Sequence, residues 1–327
     1  MSQTISNGPG IRPLDEGSKA GSGRGAALFK HQPSARVLLR LRALILLGGG
    51  VRSSEFVEAV RRSLLDLPID SAHSLLDLWQ AQAAMEVAYA GLPRLSMRVI
   101  TNSAVPRPRP DAFRVAVSLE HDPYEMRGTG GLLRDIAEAY ADDDFIAVAN
   151  ANQILFEPLA HLLAGLEATG AEVSLAAQEQ GACGDVLLAR CGSLRVIPRV
   201  GFIDLKEQAL PIIARQATVK VLHRPRRIAM PVRTCADYLS ALRAYHLHSP
   251  GDPQSARPHA FVEDWQPVFR IVEPGAEVDA SARIHDSVVL RGARVERGAI
   301  VARCVVCPGA VVRREQVCVD RLLTADV

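Results

Sequence analysis

Neither sign of charge dominates the 327-residue chain: 38 Lys and Arg stand against 36 Asp and Glu, a net charge of +2. Such a balance points to no polyanionic partner, so no nucleic-acid role is expected, and any preference for phosphate has to come from local placement. Long hydrophobic runs are also missing. No apolar stretch approaches the ~20 residues of a membrane span, and the first residues show no continuous apolar core of the kind a secretory leader needs. No membrane association is expected. The six cysteines do not make a disulfide framework in a chain this long, and a reducing cytoplasm is the expected setting. With 48% hydrophobic and 23% charged residues, the composition is that of a globular protein with room for one large and one smaller domain.

Residues 1–35 carry glycines at 8, 10, 17, 21, 23 and 25 among Ser, Pro, Asn and Lys, a mixture that cannot bury a core and reads as a disordered tail. From Arg36 the text alternates between apolar strands and helical stretches. Strands are expected at Ala43–Leu47, Met97–Thr101, Ala112–Leu119, Phe145–Ala149 and Val173–Ala177. Helical spacing runs through Ser74–Ala90, Leu132–Tyr140 and Leu155–Ala168. This order predicts an α/β fold with a mostly parallel sheet over residues 36–250, and a ligand at the carboxyl ends of its strands.

Two stretches fall at such ends. The first strand breaks into Gly48, Gly49 and Gly50, then Arg52, with Ser53 or Ser54 placed to cap a helix and Arg62 ten positions beyond Arg52. Glycines allow a sharp turn and close backbone approach, and exposed N–H groups suit phosphate oxygens. The second stretch is Arg127–Leu155. Gly128-Thr129-Gly130-Gly131 opens a helix whose N–H groups favour an anion, and a strand then delivers Asn150-Ala151-Asn152.

These motifs, in this order, resemble those of the sugar-1-phosphate nucleotidyltransferases: G-G-x-G-T-R-L, then G-T-A-G, then a strand ending in N-G-D. The segment Gly184–Ala214 is similar to the family's late hairpin and helix, and Pro231–Leu239 is similar to D-I-G-T-P-E-D-Y-L, with Thr234, Asp237, Tyr238 and Leu239 in step. The resemblance covers about residues 36–320. It implies transfer of a nucleotidyl group from a nucleoside triphosphate to a sugar 1-phosphate with release of pyrophosphate, helped by Mg²⁺ on two aspartates. It also implies that Gly48, Gly49, Gly50, Arg52, Gly128, Thr129, Gly130 and Asn150 hold the nucleotide, and that Arg52 and Arg62 act on phosphates as the catalytic cations. The metal half of the pattern is missing. Asn152 and Pro231 stand where the family has its aspartates, so no metal site and no cofactor are expected unless the chain is active with Mg²⁺. No E-K-P segment lies between Val173 and Gly184. Arg62 replaces a lysine, and a planar guanidinium is not equivalent to an ammonium.

After a polar linker over 251–271, the spacing becomes hexameric. Val272, Val278 and Ile284 are followed, after one five-residue step, by Val289, Val295, Val301 and Cys307. Small or branched residues follow each by four positions, among them Ala276, Ala282, Val305 and Val311. Such repeats wind a parallel β-helix of about three coils, here over residues 272–320; the resemblance implies a left-handed one. Asp142–Asp144 read as a solvated turn, Asp204, Lys206 and Glu207 as a charged cluster near the site opening, and Cys304 and Cys307 as structural thiols.

The function expected from these residues is that of an impaired nucleotidyltransferase. It would bind a nucleotide or nucleotide sugar and regulate or scaffold a partner, either its own copies in a homo-oligomer or a catalytic paralogue, through the β-helix. An active enzyme and a purely structural interaction protein are the alternatives.

Overall fold

The computed structural model describes residues 37–325, apart from 50–53, 102–103, 108, 112–113, 123–126, 179–182 and 248–266. The expected tail over 1–35, most of the linker, Gly50 and Arg52 therefore lie outside the described residues. Pro33–Val327 form one compact unit.

Its main sheet has seven strands: β1 (Leu41–Leu47), β2 (Leu95–Thr101), β3 (Val115–His121), β4 (Phe145–Asn150), β6 (Val173–Gln178), β7 (Cys183–Arg190) and β8 (Val219–Arg224). They lie in the order β3-β2-β1-β4-β7-β6-β8. Only β7 runs against its neighbours, β4 and β6. The expected parallel sheet is thus present with one reversed strand. The reason is the short hairpin between β6 and β7, which leaves no room for a crossover helix.

Both faces of the sheet are covered, as a parallel sheet requires. Alternate residues of β1 serve the two sides. Leu44 and Leu46 join the layer of α2 (Leu75–Ala90), α4 (Leu159–Ala168) and α7 (Cys235–Leu247). Ala43 and Ile45 join the layer of α3 (Gly128–Ala137) and the short helices α5 (Cys191–Leu194) and α6 (Leu210–Ile213). Local signals mark the ends. Ser54 caps the six-residue α1 (Glu55–Val60), and Ser74 with Asp77 forms a reciprocal capping box at α2, which ends on Gly91 in the left-handed region. The helix expected from Leu155 begins only at Leu159. Gln153–Leu155 instead form β5, antiparallel to β9 (Ala229–Pro231).

The C-terminal residues form three stacked parallel sheets, the arrangement of a β-helix. One contains β10 (Arg270–Val272), β13 (Ser287–Val289), β16 (Val305–Val306) and β19 (Leu322–Leu323). The other two contain β11 (Glu277–Val278), β14 (Arg294–Val295) and β17 (Val311–Val312), and β12 (Arg283–His285), β15 (Ile300–Ala302) and β18 (Val317–Val319). Equivalent positions are seventeen residues apart, as in the contact of Cys304 N with Ser287 Oγ. The five-residue step therefore recurs in each coil, at the corner where Asp286, Arg303 and Asp320 all have positive φ. This corrects the inward register: Val306 pairs with Val289 and Leu323, whereas Cys307 faces the other way. Likewise Ala310 is buried in the coil interior, and Val311 is exposed.

Candidate functional site

Strand order reverses between β1 and β4, the position where open α/β sheets hold ligands. A cavity of about 290 Å³ opens there, lined among others by Leu47, Thr129, Asn150, Asp204, Lys206 and Arg233. Its floor is tied together by main chain. Gly48 N donates to Ile100 O at 2.8 Å, and Ala151 N donates to Leu47 O at 3.0 Å. Asn150 Oδ1 accepts from Asn152 N at 2.9 Å, which fixes the turn that leaves β4.

The structure brings Thr129 and Asn150 to the cavity but gives Gly128 and Gly130 another task. Gly130 N donates to Ile203 O at 2.9 Å, and Ile203 N donates to Arg127 O at 2.9 Å. Thr129 Oγ1 accepts from Leu205 N at 3.1 Å. The start of α3 thus grips the segment 203–205, and so positions the wall that carries Asp204 and Lys206. Its glycines are steric necessities. Gly128 has φ +66°, and a Cβ there would lie 2.5 Å from Ile203 O. One backbone donor expected for a ligand is therefore spent inside the protein. Asp204 in turn caps the π-helical turn Leu205–Ala209, its carboxylate accepting from Lys206 N and Glu207 N. Asp204 and Lys206 thus line the opening where the sequence places a charged cluster; Arg233, which the motifs do not single out, lies two positions after Pro231 in the stretch that resembles D-I-G-T-P.

Arg62 does not approach the cavity lining. Its guanidinium grips Glu273 of the β-helix with two bonds of 2.9 and 2.8 Å, and the two side chains are only 13% and 12% exposed. Ten positions from Arg52 is therefore not the spacing of two phosphate ligands in this chain. It is the distance from the glycine turn to the β-helix seam. Gly48 and Gly49 border the turn; Gly50 and Arg52 are outside the described residues.

Asn152 and Pro231, which stand where the resemblance would put the metal-binding aspartates, offer little to Mg²⁺ in the structure. Asn152 is buried, and its Nδ2 donates to Gly48 O at 3.2 Å, so the side chain presents a donor to the glycine turn. Pro231 is exposed and lies in β9, opposite Gln153. Among the described residues no group of three or more His, Cys, Asp or Glu is arranged to hold a metal. Hard divalent cations need several anionic oxygens, and among the described residues the cavity lining offers one carboxylate, Asp204.

The remaining candidates are structural. Asp142 pairs with Arg195, Asp143 with Arg40 and Arg190, and Asp144 with Arg42, at the amino end of β4 away from the cavity. Cys304 is buried inside the β-helix, while Cys307 is buried in the seam with the α/β layer, where burial pushes its thiol up to about 12. A thiol held protonated in this way is a poor nucleophile, in keeping with a structural role.

Fold and cavity together define an α/β protein with a parallel-rich sheet, a cleft at its strand-order reversal and a C-terminal stack of parallel strands. No protein-family model and no curated protein matches the chain. Among solved structures, it is similar to the crystal structure of the Mycobacterium tuberculosis Rv0371c homologue from Mycobacterium sp. strain JC1. The identity is 15% and the TM-score 0.44, covering 63% of this chain and 96% of that one. A likeness this distant carries no functional inference. No helix among the described residues is long and apolar enough to cross a membrane.

Proposed function

We propose that this chain is a nucleotidyltransferase-like protein that binds a nucleotide or nucleotide sugar without transferring a nucleotidyl group. In this reading it regulates or scaffolds its own copies or a catalytic paralogue through its β-helix, taken as left-handed. The observation that carries the reading is the cavity itself. Thr129 and Asn150 line it where the sheet places a ligand, and Lys206 and Arg233 stand beside it. The two positions that would hold a divalent cation are filled by an amide turned to Gly48 and by a proline. Phosphate charge is then met by Lys206, Arg233 and Arg52 rather than by metal. Without the cation, the charge that develops on the transferring phosphoryl group loses its main stabiliser, which is why binding is proposed without turnover.

Calorimetry with a panel of nucleotides and nucleotide sugars tests this. Binding is expected with the same affinity in Mg²⁺ and in chelator, weakened about tenfold by Arg52→Ala or Lys206→Ala. Steady pyrophosphate release that depends on a sugar 1-phosphate would show an active transferase instead. No binding to any member of the panel would leave the structural interaction protein as the reading.

A further inference from the structure

A second cavity, of about 750 Å³, shares no lining residue with the first. It lies where β8 leaves the sheet beside the first turn of α4, and its donors suited to phosphate come from both elements: the His161 imidazole from α4, and the cations Arg224, Arg226 and Arg227 from the run His223-Arg-Pro-Arg-Arg. Among the described residues the lining contains one carboxylate, Glu157, and Arg224 already pairs with it at 3.0 Å. Arg226 makes no ion pair among the described residues. Among the described residues Arg227 donates to the thioether of Met230 at 3.0 Å, a weak acceptor that leaves most of the guanidinium's donors unspent.

Arg224 is held in place by close packing. Besides Glu157 it donates to His161 O at 3.3 Å, and its buried Nε has no partner. It lies so close to α4 that a Cβ on Gly165 would meet its guanidinium nitrogen at 2.6 Å. The helix thus omits a side chain at the point where the arginine crosses it. Phe156, Pro158 and Pro225 supply an apolar wall on the same cavity.

We infer that this cleft is a second binding site, for a small organic phosphate carrying at least two phosphate-type charges. Arg226, Arg227 and His161 take the phosphates, and the Phe156–Pro158–Pro225 wall takes the organic part. Arg224, neutralised by Glu157, orients the loop and does not count toward the net charge offered. A concave, walled cavity favours a small ligand over a nucleic-acid strand, which needs an open basic track.

The test uses the full chain and inorganic pyrophosphate, followed through the His161 ring resonances by NMR at constant ionic strength. Those resonances are expected to move saturably. The half-saturation point should rise at least about tenfold in Arg226→Ala/Arg227→Ala, whose replaced side chains are exposed. Gly165→Ala should weaken the response by displacing Arg224. Lys206→Ala should leave the His161 titration unchanged, because that residue belongs to the other cavity. His161 resonances that stay still, that respond identically in the double arginine variant, or that follow Lys206→Ala would each overturn the inference. So would binding of an oligonucleotide at this cleft without binding of pyrophosphate. Failure of nucleotide binding at the first cavity leaves this result untouched.

Discussion

Two charged side chains show how burial decides a residue's role. Glu86 of α2 is fully buried with both carboxylate oxygens unpartnered, and Glu167 of α4 lies close enough to repel it. Burial first, and then Glu167, pushes Glu86 up to about 7 from an ordinary 4.5. The folded chain therefore holds a proton there that the unfolded chain gives up between those values. Stability contributed by the protonated form is present below about pH 4.5, and it is lost as pH rises through about 7, a change on the order of 3 kcal/mol. Thermal unfolding measured from pH 5 to 8 should show a falling midpoint, and Glu86→Gln should flatten the profile. Arg62 gives a second test. Removing it leaves Glu273 largely buried with only the main-chain donor Arg291 N, at 2.7 Å. Arg62→Ala should cost about 2–4 kcal/mol in chemical denaturation and change nucleotide affinity little. Neither role was legible beforehand. A buried glutamate on a helical face looks like a solvated one in text, and the partner of Arg62 lies 211 residues away.

The strands and helices were largely legible, because apolar runs and their periods are local. Five expected strands correspond to β1, β2, β3, β4 and β6 with ends shifted by a few residues, and α2 covers the helical spacing expected over Ser74–Ala90 to within one residue. What failed depended on contacts between elements. The early start given to α4 overlooked β5, whose partner β9 comes some seventy residues later, and the hexad register slipped after Val301 because the corner at Asp286, Arg303 and Asp320 is one residue short in every coil. The first turn of α3 yields a prediction of its own. Gly128→Ala forces a Cβ onto Ile203 main chain in a backbone conformation unfavourable to alanine. It should destabilise the chain by about 1–3 kcal/mol and loosen the wall holding Asp204 and Lys206. Hydrogen exchange should rise over residues 203–209 specifically. Unchanged protection there would show that α3 does not position this wall.

The α/β layer and the β-helix share one core. Ile271, Val288, Val305 and Cys307 are buried in the same cluster as Tyr238 and Leu242 of α7 and Leu44 of β1. Ion pairs cross the seam too: Arg62 with Glu273, and Arg243 with Asp286, whose buried carboxylate also accepts from Val268 N and Phe269 N. The text suggested two domains joined by a linker, because composition changes sharply at 251 and again at 272. What it could not show is that the sheet formed by β10, β13, β16 and β19 is apolar on both faces, one toward the coil interior and one toward the α/β layer. Calorimetric unfolding should therefore give a single transition. Val288→Asp should unfold both parts together, and a chain ending before Phe269 should leave the α/β part destabilised. Two separate transitions would show that the halves are independent.

The bond from Asn152 Nδ2 to Gly48 O has a consequence for how the sequence can change. An aspartate at 152 would bring a carboxylate to within 3.2 Å of a carbonyl oxygen, two acceptors with no proton between them. A single substitution that supplies a metal ligand therefore first costs stability at the glycine turn and gives nothing back until a second anionic oxygen replaces Pro231. The cost falls on position 152, where the carboxylate would face the Gly48 carbonyl. On the proposed reading, a sequence that changed position 152 first would pass through a less stable intermediate before any metal could compensate.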